Sequence, residues 1–178
     1  MNLSKKWMSD YVTLDVTDKQ FADGMTISGS KVEGFEKEGE EIKNVVVGRV
    51  DSLEKHPDSD HLWICQINVG APEDIQIVTG AQNLKAGDIV PVAMDNSYVV
   101  GGHHIKKGKL RGVESNGMLC SYKELGMADE SDGIVELPED APLGMDIREY
   151  FKLNDNVIDV DLTSNRPDCL GICGIARE

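Results

Sequence analysis

The sequence predicts a mainly β protein with helices near both ends and a small closed barrel in the middle. Between residues 45 and 113, short runs rich in β-branched residues are separated by Gly, Pro, Asn and Asp, which favour turns. From Trp63 to Val69 every second side chain is apolar, as in a strand with one face in a core. Closure of such short strands into a barrel removes their exposed edges. The predicted strands comprise residues 45–53, 61–69, 74–79, 88–94 and 105–113.

The N-terminal region predicts two helices followed by a strand. Apolar residues among the first eleven positions recur at helical spacing, which predicts an opening helix from residue 3. A second helix is predicted to begin at a cap formed by Thr17 or Asp18 and to end at Gly29. Residues 31–35 then predict a short strand.

Further short helices and strands are predicted between residues 81 and 178. The chain stops after residue 178 without a polar tail, so we expect it to be cut from something larger. The predictions are helical turns at 81–86 and 122–127, strands at 133–137 and 157–162, a helix at 145–151 and the start of a helix at 169–178.

The composition predicts a cytoplasmic protein without a metal site. The longest apolar runs fall far short of the roughly 20 residues that a membrane helix needs. The N-terminus has no apolar core of a secretory signal. Cys65, Cys120, Cys169 and Cys173 lack the spacing of a zinc site. We expect them to be small buried side chains, with the last two on one face of a helix.

The charge distribution limits where an anionic partner can bind. The net charge of −14 repels phosphate overall. Residues 43–123 nevertheless carry nine basic and nine acidic side chains, whereas residues 124–178 carry four and fourteen. Any nucleic acid is therefore expected to bind the middle of the chain, locally and weakly.

A basic run supplies the first candidate site. If residues 105–113 form one extended strand, Lys107, Lys109 and Arg111 project from one face about 6.6 Å apart. Such a row can follow successive phosphates of a nucleic-acid strand, and Lys106 adds a fourth cation. The alternative is a solvated edge strand whose lysines prevent aggregation.

The segment Ser115-Asn116-Gly117-Met118 supplies groups of a different kind. Asn-Gly favours a tight turn that exposes backbone amides. The Asn116 side chain offers a donor and an acceptor to a base edge, and Ser115 can contact sugar or phosphate. The alternative is a structural turn in which Asn116 caps its own backbone. The predicted RNA-binding residues are Lys106, Lys107, Lys109, Arg111, Ser115, Asn116, Gly117 and Met118.

Other candidate groups predict structure more readily than chemistry. Residues 56–62 predict a loop, and a metal site among its histidines and aspartates is the less favoured alternative. Trp63 is expected in the core rather than stacked on a base. The spacing from Gly102 to Lys109 is one residue too long for a phosphate-binding loop, and Leu110 replaces the required Ser or Thr. We therefore predict no catalytic residue.

Several motifs together resemble one known family. The runs KLRGVESNGMLCS (109–121), KELG (123–126) and DGIVELPED (132–140) resemble the tRNA-binding oligonucleotide/oligosaccharide-binding (OB) domain appended to several aminoacyl-tRNA synthetases. The runs LSKKWMSDYV (3–12), NRPDCL (165–170) and GIARE (174–178) narrow the resemblance to the N-terminal region of the β subunit of bacterial phenylalanyl-tRNA synthetase. That family usually has a basic residue where His61 stands, so one phosphate contact is in doubt.

The resemblance implies an architecture and a role. It implies an OB domain at residues 40–151, inserted into a small α+β domain built from residues 1–39 and 152–178, whose C-terminal part is incomplete. It implies a tRNA-binding accessory module, itself not catalytic and without a cofactor. The parent would be an α2β2 ligase that charges tRNA with phenylalanine using ATP and Mg²⁺. The alternatives are a structural or assembly domain with little RNA contact, or a tRNA-binding appendage of another synthetase.

Overall fold

The computed structural model describes residues 1–178, and the chain divides into two units. The first unit combines residues 1–38 with residues 154–178, and the second comprises residues 39–153. None of the helices is long and apolar enough to cross a membrane. In chain order the elements are β1 (Asn2–Ser4), α1 (Lys5–Met8), α2 (Asp18–Ser28), β2 (Lys31–Lys37), β3 (Lys43–Lys55), β4 (Trp63–Asn68), β5 (Ile75–Thr79), β6 (Ile89–Val99), β7 (His103–Ile105), β8 (Gly108–Leu110), β9 (Val113–Ser115), β10 (Gly117–Leu119), α3 (Ile147–Tyr150), β11 (Asn156–Asp161), a 3₁₀ turn (Pro167–Cys169) and α4 (Ile172–Ile175).

A three-stranded antiparallel sheet in the first unit joins the two ends of the chain. β11 is the central strand, with β1 on one side and β2 on the other. Ile158 and Val160 of β11 are fully buried. The terminal amino group of Met1 donates a 2.6 Å hydrogen bond to the Val160 carbonyl oxygen. Because β1 and β2 do not pair with each other, this sheet depends on a strand from the far end of the chain.

Helix α2 begins and ends where its local sequence predicts. The Thr17 hydroxyl accepts from the Gln20 N–H at 3.3 Å, and the Gln20 side chain accepts from the Thr17 N–H at 3.0 Å. This reciprocal pair satisfies two N–H groups that the first turn leaves without partners. Gly29 ends the helix with a φ of 106°. The predicted second helix and the strand after it are confirmed.

The opening helix predicted from residue 3 is wrong in extent. Leu3 lies in β1, opposite Ile158, and is 3% exposed. Only Lys5–Met8 is helical, with the Ser4 hydroxyl accepting from the Trp7 N–H. A buried strand residue followed by one helical turn produces the same apolar spacing as a longer helix, so the local pattern did not distinguish them.

The second unit is a barrel built around the long strand β3. The strand order is β10-β6-β3-β4-β5, with β3 paired to both β4 and β6. The barrel closes between β5 and the segment that leads into β10, where the Asn116 N–H donates to the Gln76 carbonyl oxygen at 2.8 Å. This is the five-stranded arrangement of an OB fold. The mainly β fold class is confirmed, as are four of the five strand predictions.

Apolar side chains inside and beneath the barrel form two clusters. One lies between β3, β4, β5 and β6 and includes Val50, Ile67 and Val92. The other packs one end of the barrel against the segment that follows it, and includes Val45, Leu125 and Ile147. The segment after β10 therefore completes the core of this unit, although it contains little regular structure.

Three further element predictions differ from the structure. Residues 81–86 contain no helix, and residues 133–137 form only a single bridge between Leu137 and Ile89. The predicted helix at 169–178 is reduced to the 3₁₀ turn and α4, separated by Gly171 in an extended conformation. Cys169 is consequently buried and Cys173 is exposed. The prediction that both lie on one buried helix face is therefore wrong.

Candidate nucleic-acid interface

Residues 106–115 form an exposed hairpin, here called the basic hairpin. Its strands β8 and β9 pair in the register Gly108↔Ser115 and Lys109↔Glu114. The side chains of Lys106, Lys107, Lys109 and Arg111 are all exposed. At its base, the Lys107 N–H donates to Asp95 Oδ1 at 2.7 Å, which fixes the hairpin to β6. The four predicted cations are therefore together on one protruding element.

The prediction that residues 105–113 form a single strand is wrong. The chain leaves β7 after Ile105, and a turn separates β8 from β9. Arg111 and Gly112 have φ values of 45° and 87° in this turn, a conformation that no continuous strand contains. Lys107, Lys109 and Arg111 consequently do not form a straight row. Lys109 Nζ lies 3.9 Å from Glu114 Oε1 in a well-solvated pair, which holds the lysine only weakly.

The tip of the basic hairpin is attached to the loop between β3 and β4. His56 is 4% exposed, and its Nδ1 accepts from the Asp58 N–H at 3.0 Å. The proton is therefore on Nε2, which lies 3.3 Å from the Leu110 carbonyl oxygen and donates to it. Arg111 Nη1 donates to the Asp58 carbonyl oxygen at 3.2 Å. These bonds occupy both ring nitrogens of His56, which removes it from the alternative metal site.

The segment from Ser115 to Met118 closes the barrel and is not a tight turn. Ser115 is 3% exposed, and its hydroxyl accepts from the Val78 N–H and donates to the Gly117 carbonyl oxygen, both at 3.0 Å. Gly117 begins β10, opposite Met94. The turn prediction is wrong because the small residues serve a close strand contact. The RNA contacts predicted for Ser115, Gly117 and Met118 stay predictions, although the Ser115 hydroxyl is committed within the protein.

An open cleft brings the lysines and the asparagine together. Lys107, Gly108, Lys109, Glu114 and Asn116 line a space of about 280 Å³ beside the basic hairpin. The backbone of Asn116 is fixed by its hydrogen bond to β5, and the half-buried residue is part of the wall of this cleft. The arrangement offers cations and an amide at one surface, which suits a phosphate beside a base edge.

Two glutamines support this cleft, and the sequence-based reasoning missed them. Gln76 Nε2 donates to the Glu114 carbonyl oxygen at 2.8 Å, and Gln66 Nε2 donates to Gln76 Oε1 at 3.1 Å. They lie opposite each other in β4 and β5 and connect the barrel surface to the basic hairpin. The only sequence signal was a polar residue among apolar ones in each strand.

One family of known proteins matches most of the barrel. It is described as "Putative tRNA binding domain" and matches residues 45–146, which include every element from β4 to β10 and all the predicted RNA-binding residues.

Comparison with individual proteins extends the similarity to the whole chain. The phenylalanine–tRNA ligase β subunit of Clostridium acetobutylicum is 53% identical over 180 residues, covering all of this chain and 23% of the relative. That of Clostridium tetani is 50% identical over 179 residues, again with 23% of the relative covered. The chain thus spans less than a quarter of the length of these relatives.

A comparison with solved structures also returned a similar chain. It is a MetRS related protein from Pyrococcus horikoshii, with 28% identity, a TM-score of 0.41, and coverage of 57% of this chain and 85% of that one. The match of the family over residues 45–146 and the high identity over the full length confirm the family expected from the sequence motifs. The chain belongs to the family of tRNA-binding domains, in the form found in the N-terminal portion of phenylalanine–tRNA ligase β subunits.

Proposed function

We propose that this accessory module binds tRNA through the basic hairpin and the adjoining cleft. The observation that carries the proposal is the cleft itself, where Lys107, Lys109 and Asn116 line one space. Lysine and arginine contacts with phosphate supply affinity without sequence preference. An asparagine amide can donate to and accept from a base edge, which supplies orientation and selectivity.

The predicted residues divide into two roles in this proposal. Lys107, Lys109 and Arg111 neutralise phosphates, with Lys106 adding positive charge beside them, while Asn116 contacts a base or sugar. Ser115, Gly117 and Met118 act mainly by fixing the backbone of Asn116, because the first is buried and the other two lie in β10. The remaining surface carries the excess negative charge, so it repels RNA and confines contact to the cleft.

We further propose that the parent protein is the β subunit of an α2β2 phenylalanine–tRNA ligase. In that assembly, ATP and Mg²⁺ would serve aminoacylation on the α subunit, and this chain would not react with either. Burial supports an inert role for two of its thiols, since it raises the pKa of Cys65 to about 11 and that of Cys120 to about 12. Both thiols are therefore protonated near neutral pH and are poor nucleophiles.

The salt dependence of tRNA binding tests the proposal. If Lys107, Lys109 and Arg111 each neutralise one phosphate, a plot of log K against log salt should have a slope of about −2, from roughly −0.7 per contact on single-stranded RNA. Replacing Lys109 and Arg111 with Ala should weaken binding and reduce the magnitude of the slope by about 1.4. Asn116→Ala should weaken binding with the slope unchanged, because a base contact releases no counterion.

A matched control separates local contacts from net charge. Lys19 and Lys85 are exposed and lie outside the basic hairpin, and the double change Lys19→Ala and Lys85→Ala lowers the net charge by the same two units. It should leave the slope and nearly all the affinity intact. If both double variants bind equally, the RNA surface is not the basic hairpin. If the unaltered chain binds no tRNA, the structural-module alternative replaces this proposal.

A further inference from the structure

Two aromatic rings are stacked near the C-terminal end of β6, outside the cleft described above. Tyr98 in β6 and His104 in β7 are directly opposite in the strand register. Their ring centroids are 4.4 Å apart and the ring planes differ by only 6°. Tyr98 is 36% exposed and His104 is also exposed. A flat stack of two rings thus lies at the surface of the β6–β7 pair.

The orientation of the His104 ring is fixed by a hydrogen bond. Its Nε2 lies 2.6 Å from the side-chain oxygen of Asn96, which can only accept, so Nε2 is protonated and donates. Asn96 itself has a φ of 64°, which places it in the left-handed region. Lys43 Nζ lies over the Tyr98 ring, 6.0 Å from its centroid, so the ring that remains for an additional stacking partner is that of His104. The two rings are therefore held parallel to each other before any ligand binds.

Cations follow this pair immediately along the chain. Lys106 and Lys107 come two and three residues after His104, and the chain from His104 to Lys107 spans at most about 11 Å. Lys107 is also the first residue of the cleft proposed to bind tRNA. An RNA strand lying along the basic hairpin would thus pass next to the exposed ring of His104.

We propose that Tyr98 and His104 form a stacking platform for one unpaired base of a bound RNA. The proposal rests on the proposed function, since the cations of the basic hairpin would deliver the strand. An unpaired base extends a ready-made stack of flat rings without further ordering of the protein. Stacking accepts every base, so it adds affinity without a strict sequence requirement. The contact between Tyr98 and His104 also stabilises the β6–β7 pair. That structural role requires neither exposed rings nor neighbouring cations.

The test compares three variants of the full chain with an eight-residue oligoadenylate RNA as the probe. His104→Ala should weaken binding at least about fivefold, and the slope against log salt should stay the same because no phosphate contact is lost. His104→Phe keeps a flat ring and should restore most of the affinity. His103→Ala is the matched control, since His103 is an exposed neighbour whose side chain points to the other side of the strand. It should bind as the unaltered chain does.

A measurement on the unaltered protein guards against misfolded variants. On addition of the oligoadenylate, the ring protons of His104 should shift upfield in the NMR spectrum, as expected for a proton above a stacked base. A ribose-phosphate chain of the same length without bases should not produce that shift. If His104→Ala binds like the control, or if the shift is the same for both probes, the platform is refuted.

The outcomes distinguish this inference from the proposed function. If the Lys109/Arg111 change flattens the salt slope while the His104 changes have no effect, RNA binds at the cleft but no base stacks on the pair. If the unaltered chain binds neither tRNA nor oligoadenylate, both proposals fail together. If only the His104 changes matter, stacking occurs without the phosphate contacts assigned to the basic hairpin, and the proposed function needs a different cationic surface.

Discussion

Gly117 permits two backbones to approach closely where β10 pairs with β6. A methyl group at its Cα would lie 2.3 Å from the Ala93 carbonyl oxygen, which is far inside van der Waals contact. Gly117 does not have a positive φ. Glycine is therefore needed there because there is no room for a side chain, and not because the backbone is left-handed. Gly48 in β3 has a similar role, because an added Cβ would lie 2.7 Å from Val92 and 2.9 Å from Ile67.

Gly117→Ala should therefore destabilise the barrel. The added carbon meets backbone that is itself paired, so the strands must separate, at a cost of about 1–3 kcal/mol. Gly108→Ala is the control, since no atom lies within 4 Å of the corresponding Cβ position. Urea denaturation should show a lower midpoint for the first variant only. Equal midpoints for the two variants would mean that the strands at Gly117 adjust without cost.

Arg166 connects the 3₁₀ turn to Glu178. Its Nη2 lies 2.6 Å from Glu178 Oε2 and 3.0 Å from Asp168 Oδ2, and it also donates to Cys169 Sγ. The carboxylate oxygens and the sulfur of these three partners lie within 4.8 Å of one another, which is close enough to bind a metal ion together. The guanidinium group of Arg166 already supplies the positive charge among them. Hydrogen bonds from Arg166 lower the pKa values of Asp168 and Glu178.

These lowered pKa values predict a pH-dependent contribution to stability. Each ionised carboxylate stabilises the fold at pH values above its ordinary pKa of about 4. This stabilisation is lost as the pH falls through the lowered pKa of the folded state. Arg166→Gln should therefore reduce stability at pH 7 and have a much smaller effect at pH 2. Urea denaturation at the two pH values measures this difference. Arg177→Gln is the control, because Arg177 is exposed and forms no ion pair. An effect of Arg166→Gln that is the same at both pH values would contradict the assignment.

Elements with complete local signals were predicted, and those decided by distant pairing were not. The sequence specifies both ends of α2 through Thr17 and Gly29, and both positions take the expected conformations. By contrast, Leu3 joins a strand because of its pairing with Ile158, which no local pattern reveals. The basic hairpin was missed because Arg111 adopts a left-handed conformation that is uncommon for arginine.

The same distinction applies to the candidate site. Exposure of the four cations follows from their chemistry, and it was predicted. The burial of Ser115 depends on the Val78 N–H, which lies 37 residues away in the sequence. The support from Gln66 and Gln76 likewise depends on the register of β4 against β5. Local sequence identified the groups that carry charge but not the contacts that position them.

At the scale of the whole molecule, each unit brings distant parts of the chain together. In the first unit the Glu38 N–H donates to the Asp155 carbonyl oxygen at 3.0 Å. In the second unit a Cβ added to Gly39 would lie 2.5 Å from the Leu153 carbonyl oxygen, so its two ends are adjacent. We propose on this basis that residues 39–153 are an insertion that can be removed intact.

Residues 39–153 expressed alone should therefore fold and keep the RNA-binding slope of the full chain. The physical reason is that both hydrophobic clusters of the barrel lie within this range. Circular dichroism, a cooperative urea transition and the salt titration measure the result. A shorter piece comprising residues 39–120 lacks Leu125, Val135 and Ile147, which complete one cluster, and should not fold. An unfolded 39–153 piece would contradict the proposed insertion.

The central position of β11 sets the earliest point during synthesis at which the sheet of the first unit can form. β1 and β2 leave the ribosome early but pair only with β11, which follows after residues 38–155. At elongation rates of about 5–20 residues per second, that interval is on the order of ten seconds. During that time the barrel strands emerge and can pair with each other, while Leu3, Met8 and Phe21 have no sheet to cover them. Residues 1–38 are thus made before the barrel but complete their sheet only after it, and the nascent chain exposes this apolar surface until β11 emerges.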